Sequence, residues 1–498
     1  MTQASTPVAL RPEAGKAALP ALPAPAARDP NLPSSIGKYR IRSRLGDGST
    51  SEVFLGHDDF RGTDVAIKRL RAGLAPDSVE GHYSEHFFAA EAALVGRLQH
   101  PNVVQLFDAV AEGPSPYLVM EYVPGVTLRR FCRPDHLLSL ESIVEIAFKC
   151  AMALGYCWRQ GLIHRDVKPA NILAVVKNND VTEVKITDFG SVLNLGSDRT
   201  QVFRVGSLTY MSPEQVDGSE LDCRADIYSL AAVMYHLIAG RPPFDAQTQP
   251  ALLHQIFHAE LTPLTGLREG VTEALDYLVR TAMSRDREER PADWDRFAQA
   301  LSQLIASHEV PRKGLQSVLD SERFSLLRSL DFFAEFGDVE LWEVVHRAHW
   351  SRHNYGDALF RKGEQGNRFY IIAQGKVEVY REGQRVAKMG SGTSVGEMAY
   401  LAPNPELRTH SADVLASQPA TTVSFTPESL KQLNIGTRSQ FDAAFIRVLV
   451  RRLHAAQETL ISQRLASRAA KDAREGKDGK DAKEARDSRL RSTSTSTS

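Results

Sequence analysis

Along the first 36 residues no hydrophobic period can develop, because Pro7, Pro12, Pro20, Pro23, Pro25, Pro30 and Pro33 interrupt an Ala-rich stretch. Proline removes a backbone donor and clashes with the preceding turn, so residues 1–36 are expected to be a disordered arm. From Tyr39 to Leu304 strand-like and helical patterns alternate without a low-complexity break, as in one large mixed domain. Within it FFAAEAALVGRL is apolar at helical spacing and predicts a helix, whereas PYLVMEYVPG, from Pro116 to Gly125, predicts a buried strand. Around His308 to Ser321 the chain turns polar and carries Pro311 and Gly314, a linker signal. A helical stretch from Phe324 then leads into RFYIIAQ, KVEVYRE and QRVAKMG, short runs broken by glycines, which predict a small β-roll flanked by helices. Helical periodicity returns near Thr437, with Phe441, Phe445, Val448 and Leu449 on one face, as expected of a helix that covers the roll. Beyond Ser467 basic, acidic and small residues repeat at period three before the terminal STSTSTS. With almost no apolar residues this tail is expected to be a solvated helix or coil rather than a coiled coil, closed by a disordered STSTSTS, and it is counted with the disordered segments. The predicted organisation is therefore an arm over 1–36, a domain over 37–305, a linker over 306–323, a second domain over 324–465 and a tail over 466–498.

Composition narrows the functional classes. A chain of 498 residues exceeds one ordinary core, and 42% hydrophobic residues suit two globular domains. The 60 Lys+Arg against 61 Asp+Glu leave a formal net charge of -1, so no global field favours nucleic acid or an anionic membrane. Cys132, Cys150, Cys157 and Cys223 form neither a CxxC pair nor a dense framework, which points to reduced thiols and a cytoplasmic location. No apolar run reaches the roughly 18 to 20 residues needed to span a bilayer, and a signal-peptide pattern is not seen.

The most informative chemistry lies in His164–Asn171, reading HRDVKPAN, with DFG following at Asp188–Gly190. Together with a GxG segment at Gly46 to Gly48 and VAIK ending in Lys68, these motifs stand in the order found in protein kinases, which residues 39 to 304 resemble. The KPAN continuation resembles serine/threonine kinases of the bacterial type. The resemblance implies an α+β, bilobal fold that transfers the γ-phosphoryl of ATP to Ser/Thr hydroxyls of protein substrates with magnesium. By that resemblance Asp166 accepts or orients the substrate proton, Lys168 and Lys68 neutralise phosphate charge, and Glu91 pairs with Lys68. Asn171 and Asp188 are the implied magnesium ligands, oxygen donors suited to a hard cation. Leu45, Gly46, Gly48, Val53 and Ala66 would enclose ATP; Ser51 replaces the family's third glycine. Met120 is the implied gatekeeper, and the backbones of Glu121 and Val123 would meet the purine edge. Glu214 is expected to pair with Arg290, and Asp226 to brace the catalytic loop. Arg165 before the catalytic aspartate resembles kinases switched by phosphorylation, with Ser197 or Thr200 as the phosphosites.

The second domain resembles cyclic-nucleotide-binding folds through Gly356, Gly363, Gly366 and Gly375, and through the cassette-like segment Gly392–Ala399. Gly396, Glu397 and Met398 would grip phosphate and ribose at a helix N-terminus. The family's phosphate arginine has two candidate positions: Arg408, or the place held by His410. With Arg408 swung in, cAMP or cGMP is the implied effector; otherwise the roll is a ligand-free interaction domain. The expected whole is a serine/threonine kinase modulated by that domain, with a pseudokinase scaffold as the alternative.

Overall fold

The computed structural model describes residues 32–48, 51–71, 88–111, 115–177, 180–191, 193–194, 208–311, 319–402, 404 and 408–493, with backbone alone at 191, 193–194 and 466–493. The chain divides into two compact units between Ser325 and Leu326.

In the first unit a six-stranded antiparallel sheet has the order β1-β2-β3-β4-β6-β5. Its strands are β1 (Ser35–Ile36), β2 (Tyr39–Asp47), β3 (Ser51–Asp58), β4 (Thr63–Leu70), β5 (Leu106–Val110) and β6 (Tyr117–Glu121). Ile36, Tyr39, Ile41, Phe54, Val65, Ile67 and Val119 form its core. The end of the expected arm is thus structured: Ile36 pairs with Tyr39 and is buried, because an apolar residue at the sheet edge gains more from the core than from water. The other arm residues, 1–31, lie outside the described residues.

The helical lobe is built on α1 (Leu140–Arg159), begun by Ser139, whose hydroxyl accepts from the Ser142 amide at 3.2 Å. Also in it are α2 (Pro213–Asp217), α3 (Cys223–Ala239), α4 (Gln249–His258), α5 (Glu273–Ala282) and α6 (Trp294–Ala306). Short strands β7 (Val126–Thr127), β9 (Ile172–Lys177) and β10 (Asp180–Ile186) form a three-stranded sheet, and the HRDVKPAN and DFG segments adjoin its strands β9 and β10. β8 (Leu162–Ile163) pairs with β11 (Leu193–Asn194). All four cysteines are free and buried, and burial pushes the Cys150 and Cys157 thiols up to about 12.

The expected linker contains a helix start. In α7 (Asp320–Arg328) the first turn docks on α1, with Asp320 2.9 Å from Lys149 Nζ and the Ser321 hydroxyl donating to Glu145 Oε2 at 2.5 Å. Glu145 and Lys149 lie one helical turn apart and are both buried, so the charges of α7 complete a network that α1 cannot close alone. Residues 312–318 of that linker lie outside the described residues.

The second unit contains the expected β-roll as two four-stranded antiparallel sheets. One has the order β12-β19-β14-β17, from β12 (His349–His353), β14 (Phe369–Gln374), β17 (Ser394–Val395) and β19 (Ala420–Phe425). The other has the order β13-β18-β15-β16, from β13 (Ala358–Phe360), β15 (Lys376–Arg381), β16 (Gln384–Gly390) and β18 (Asp413–Ala416). Helices α8 (Asp338–Arg347), α9 (Glu397–Leu401), α10 (Pro427–Lys431) and α11 (Ile435–Thr493) complete it. Phe441 and Phe445 of α11 are buried against Phe332, Phe369 and Phe425, with ring centroids 4.7 to 6.4 Å apart. Leu449, expected on the same face, is instead 44% exposed, and Val448 is half-buried. Of the solvated helix or coil expected for the tail, the backbone is helical to Thr493, since Ala, Lys, Arg and Glu are strong helix formers even with nothing to bury.

Candidate active site

Adjacent β2, β3 and β4 bring the GxG segment and Lys68 together. Gly46 pairs with Val53, Val53 with Lys68, and Ala66 with Met120 on β6, so these side chains are ordered by ladder register. Ala66, Met120 and Val123 are buried, Val53 is half-buried and Leu45 is 44% exposed. The Gly48 amide donates to the Ser51 carbonyl at 2.9 Å and closes the turn between the strands. At the far edge the Glu121 amide donates to the Gln105 carbonyl at 2.9 Å, and Lys185 Nζ lies 2.9 Å from the Glu121 carboxylate.

Lys68 stands between two carboxylates: Nζ donates to Glu91 Oε2 at 2.6 Å and to Asp188 Oδ1 at 2.7 Å. Residues 88–92 form the helical segment that carries Glu91, buried at 1% exposure. Burial acts to lower the Lys68 pKa, but the charges of Asp188 and Glu91 outweigh it and the net direction is upward. Lys68 therefore stays charged. Asp188 takes φ 65°, a left-handed conformation rare for a residue with a side chain, and Phe189 behind it is buried against His164 at 4.9 Å between ring centroids.

The second cluster is built on the loop between β8 and β9. Lys168 Nζ lies 2.9 and 2.7 Å from the two carboxylate oxygens of Asp166, and Asn171 Nδ2 donates to Asp166 Oδ2 at 3.0 Å and to its carbonyl at 2.9 Å. Both bonds engage the Asn171 amide nitrogen, so its oxygen is the atom turned toward other partners. Asp226, at the start of α3, braces this loop as expected: Oδ2 accepts from the His164 amide at 2.7 Å and Oδ1 from the Arg165 amide at 2.8 Å. Arg165 itself adopts φ 64°. Burial pushes the Asp226 carboxyl upward, opposed by His164 and the two amides. Glu214 meets Arg290 bidentately at 2.6 and 2.9 Å.

Two supports are not legible in the motifs. The Gln215 side chain donates from Nε2 to the Arg165 carbonyl at 2.9 Å and ties α2 to the HRD loop. His164 Nε2 lies 3.2 Å from the Thr187 carbonyl, joining the HRD and DFG segments. Ser197 and Thr200 lie outside the described residues. The oxygen donors of Asp188 and Asn171 fit a magnesium ion, the hard cation such a set prefers.

The second unit has its own cavity of about 510 Å³, lined by Phe360, Val379, Met389, Glu397, Met398 and His410 among others. Gly396 begins α9 at φ 85°, where a Cβ would come within 3.3 Å of the Arg368 carbonyl. Glu397 is 2% exposed, and its Oε2 has no hydrogen-bond partner among the described residues. Arg408 does not enter this cavity. Its Nε donates to the Ala402 carbonyl at 3.1 Å, and it lines a separate hollow beside Gln365 and Tyr400. Backbone bonds impose this: the Gly366 amide donates to the Arg408 carbonyl at 2.7 Å and the His410 amide to the Glu364 carbonyl at 2.9 Å. That register stacks His410 on Phe360 at 3.7 Å between ring centroids. Burial lowers the His410 pKa, so the ring is neutral at pH 7. The cation that reaches Glu397 is Arg452 of α11, whose guanidinium donates to Glu397 and to the Ser394 carbonyl. Fifty-five residues separate this pair, and no local spacing announces it.

The comparisons agree with this geometry. Residues 352–434 match the cyclic nucleotide-binding domain model. A serine/threonine-protein kinase PknB of Mycolicibacterium smegmatis is 37% identical over 299 residues, covering 58% of this chain and 46% of the relative. The PknB of Mycobacterium leprae is 35% identical over 306 residues, covering 60% and 47%. A probable serine/threonine-protein kinase PknB of Bifidobacterium longum is 33% identical over 282 residues, covering 54% and 40%. The chain thus spans about half the length of the curated relatives it matches. Residues 39–305 match the protein kinase domain model, which is more than half of the chain, and the chain belongs to the protein kinase family.

Proposed function

We propose that this protein is an ATP-dependent serine/threonine protein kinase that transfers the γ-phosphoryl directly to protein hydroxyls. The observation that carries this reading is the pair of charge clusters, Glu91–Lys68–Asp188 and Asp166–Lys168–Asn171, formed together in one unit. Phosphoryl transfer asks mainly for positioning and charge neutralisation. Lys68, held by Glu91, is ready for the α- and β-phosphates, and Asp166 orients the substrate hydroxyl beside Lys168. Asp188 and Asn171 would hold magnesium, which supplies charge neutralisation on the β- and γ-phosphates. General-base help is worth roughly 10² to 10⁴-fold, so most acceleration falls to orientation and the lysine clamps. A scaffold without activity is disfavoured by the presence of every polar group the reaction uses. A cytoplasmic location fits four free, buried thiols.

The test is transfer of radiolabelled phosphate to a protein substrate by purified full-length chain. Asp166→Asn and Asp188→Ala are each expected to reduce transfer at least 10³-fold with unchanged circular dichroism. Near-normal turnover in both variants would overturn the assignment.

For the second unit we propose a cyclic nucleotide, cAMP or cGMP, as effector of the kinase. Support comes from the cavity at α9 and from the unpartnered Glu397 Oε2, an acceptor suited to a ribose hydroxyl. Arg452 and Arg381, which line the cavity, rather than Arg408, are the cations available to its phosphate.

A further inference from the structure

We infer that Gln215 is a positioning residue for phosphoryl transfer: from α2 its side-chain amide fixes the plane of the peptide that leads into Asp166. The inference rests on the kinase reading above and adds a residue to the machinery of the same site.

The Arg165 carbonyl and the Asp166 amide belong to one rigid peptide plane. Both of its polar groups are held. Gln215 Nε2 donates to the Arg165 carbonyl at 2.9 Å, and the Asp166 amide donates to His164 Nδ1 at 3.3 Å. The preceding amide, that of Arg165, donates to Asp226 Oδ1 at 2.8 Å. Arg165 therefore has its N–H tied to α3 and its carbonyl tied to α2, and between them it adopts φ 64°. A left-handed backbone at a residue with a side chain is sparsely populated and persists where the surroundings over-determine it. Releasing the carbonyl frees the plane to turn, and with it the Asp166 carboxylate that is set against Lys168 and Asn171.

Gln215 is suited to hold that plane. It is buried, and it directly follows Glu214, whose carboxylate is clamped by the enclosed Arg290. α2 is thus anchored to the helical lobe one residue before the side chain that reaches the HRD loop. The amide is oriented by its partners: Oε1 faces the Ser212 amide at 3.2 Å and the Ser212 hydroxyl at 3.3 Å, and Nε2 faces the carbonyl. A backbone N–H donates and a carbonyl accepts, so these partners call for an acceptor and a donor on one side chain. The two halves serve different ends. Oε1 closes the capping box begun by Ser212, which a glutamate closes as well. Nε2 makes the bond to Arg165, which an ionised carboxylate cannot make. Helix capping alone does not account for an amide at this position, whereas the bond to the HRD loop does.

Full-length Gln215→Glu separates the two, because it keeps the cap and loses the donor once ionised. Burial raises the pKa of a carboxyl placed here, and its protonated form can still donate to the Arg165 carbonyl. The ratio of variant to wild-type kcat is therefore expected to be near one at about pH 5.5 and to fall roughly tenfold by about pH 8.5, with KM for ATP changed less than about twofold. The charged groups at this junction, Arg165, Asp166, Asp226, Glu214 and Arg290, are the same in both proteins, so their own titration cancels in the ratio. Gln215→Met, without a donor at any pH, is expected to show the low ratio throughout. A Gln215→Glu ratio that does not change with pH, or a loss carried by KM for ATP, would overturn the proposal. Exchange of the amides of residues 164–166, read by mass spectrometry at about pH 8.5, separates positioning from chemistry. Faster exchange in Gln215→Glu than in wild type supports the role even where wild type transfers no phosphate, an outcome that would sink the kinase reading. Equal exchange would sink the role of Gln215 whatever the turnover.

Discussion

Arg290 donates to both oxygens of Glu214 with its side chain wholly enclosed, and its guanidinium lies 5.0 Å from the centre of the Tyr228 ring. Removing one partner leaves the other charge buried without a counter-ion, so Arg290→Ala is expected to cost about 3–5 kcal/mol, read as a lower urea midpoint. His410 and His353 give a second prediction. Burial lowers both pKa values, against the opposing charges of Glu364 and Asp357 respectively. The unfolded chain then takes up protons before the folded one as pH falls. Stability from these rings is full above about 6.5 and is lost progressively as pH falls through the folded-state values. His410→Phe keeps the stack on Phe360 and is expected to flatten the decline in melting temperature between pH 7 and 5; an unaltered slope would remove His410 from the account. Residues inside motifs, such as Lys68, Glu91 and Asp226, were legible because phosphate chemistry fixes both their identity and their order. Arg452 was not, since one arginine in a run of arginines on a helix has no distinguishing neighbour.

Helices α7 and α11 carry consequences that single residues do not. The Glu145–Lys149–Asp320 network joins α7 to α1, and burial pushes the Glu145 carboxyl upward while Lys149 opposes it. Lys149→Met keeps the volume but takes the cation from the buried Glu145, while Asp320 keeps Arg323, and a drop of several degrees in melting temperature is expected on differential scanning calorimetry. An unaffected melting temperature would show that the pair is dispensable. On α11, Arg452→Ala is expected to weaken cyclic nucleotide binding well over tenfold by titration calorimetry, whereas Arg408→Ala changes it less than twofold. Equal effects would return the role to Arg408. The period-3.6 pattern predicted that α11 has a buried face and named Phe441 and Phe445. It misjudged Leu449, because periodicity gives a direction around the helix but not how far the partner surface extends.

At the scale of the whole molecule the proposed cyclic-nucleotide effector is tested by whether it couples to phosphate transfer. Effector couplings usually amount to about 1–3 kcal/mol, so cAMP or cGMP is expected to change the kinase rate roughly 5 to 150-fold. Titration with rate and heat measured in parallel checks this, and a flat rate with clear binding heat would leave a sensor uncoupled from phosphate transfer. The amino-acid sequence by itself determined two folded units, the motif set of a protein kinase and the β-roll, because hydrophobic period and motif order are written in consecutive residues. Tertiary structure decided what lies beside that set. It turned Arg408 away through the Gly366 and His410 backbone bonds, brought Arg452 to Glu397 across fifty-five residues, and set Gln215 of α2 against the carbonyl of Arg165. Such juxtapositions depend on chain register and on packing between distant elements, and charge acts through space rather than along the sequence.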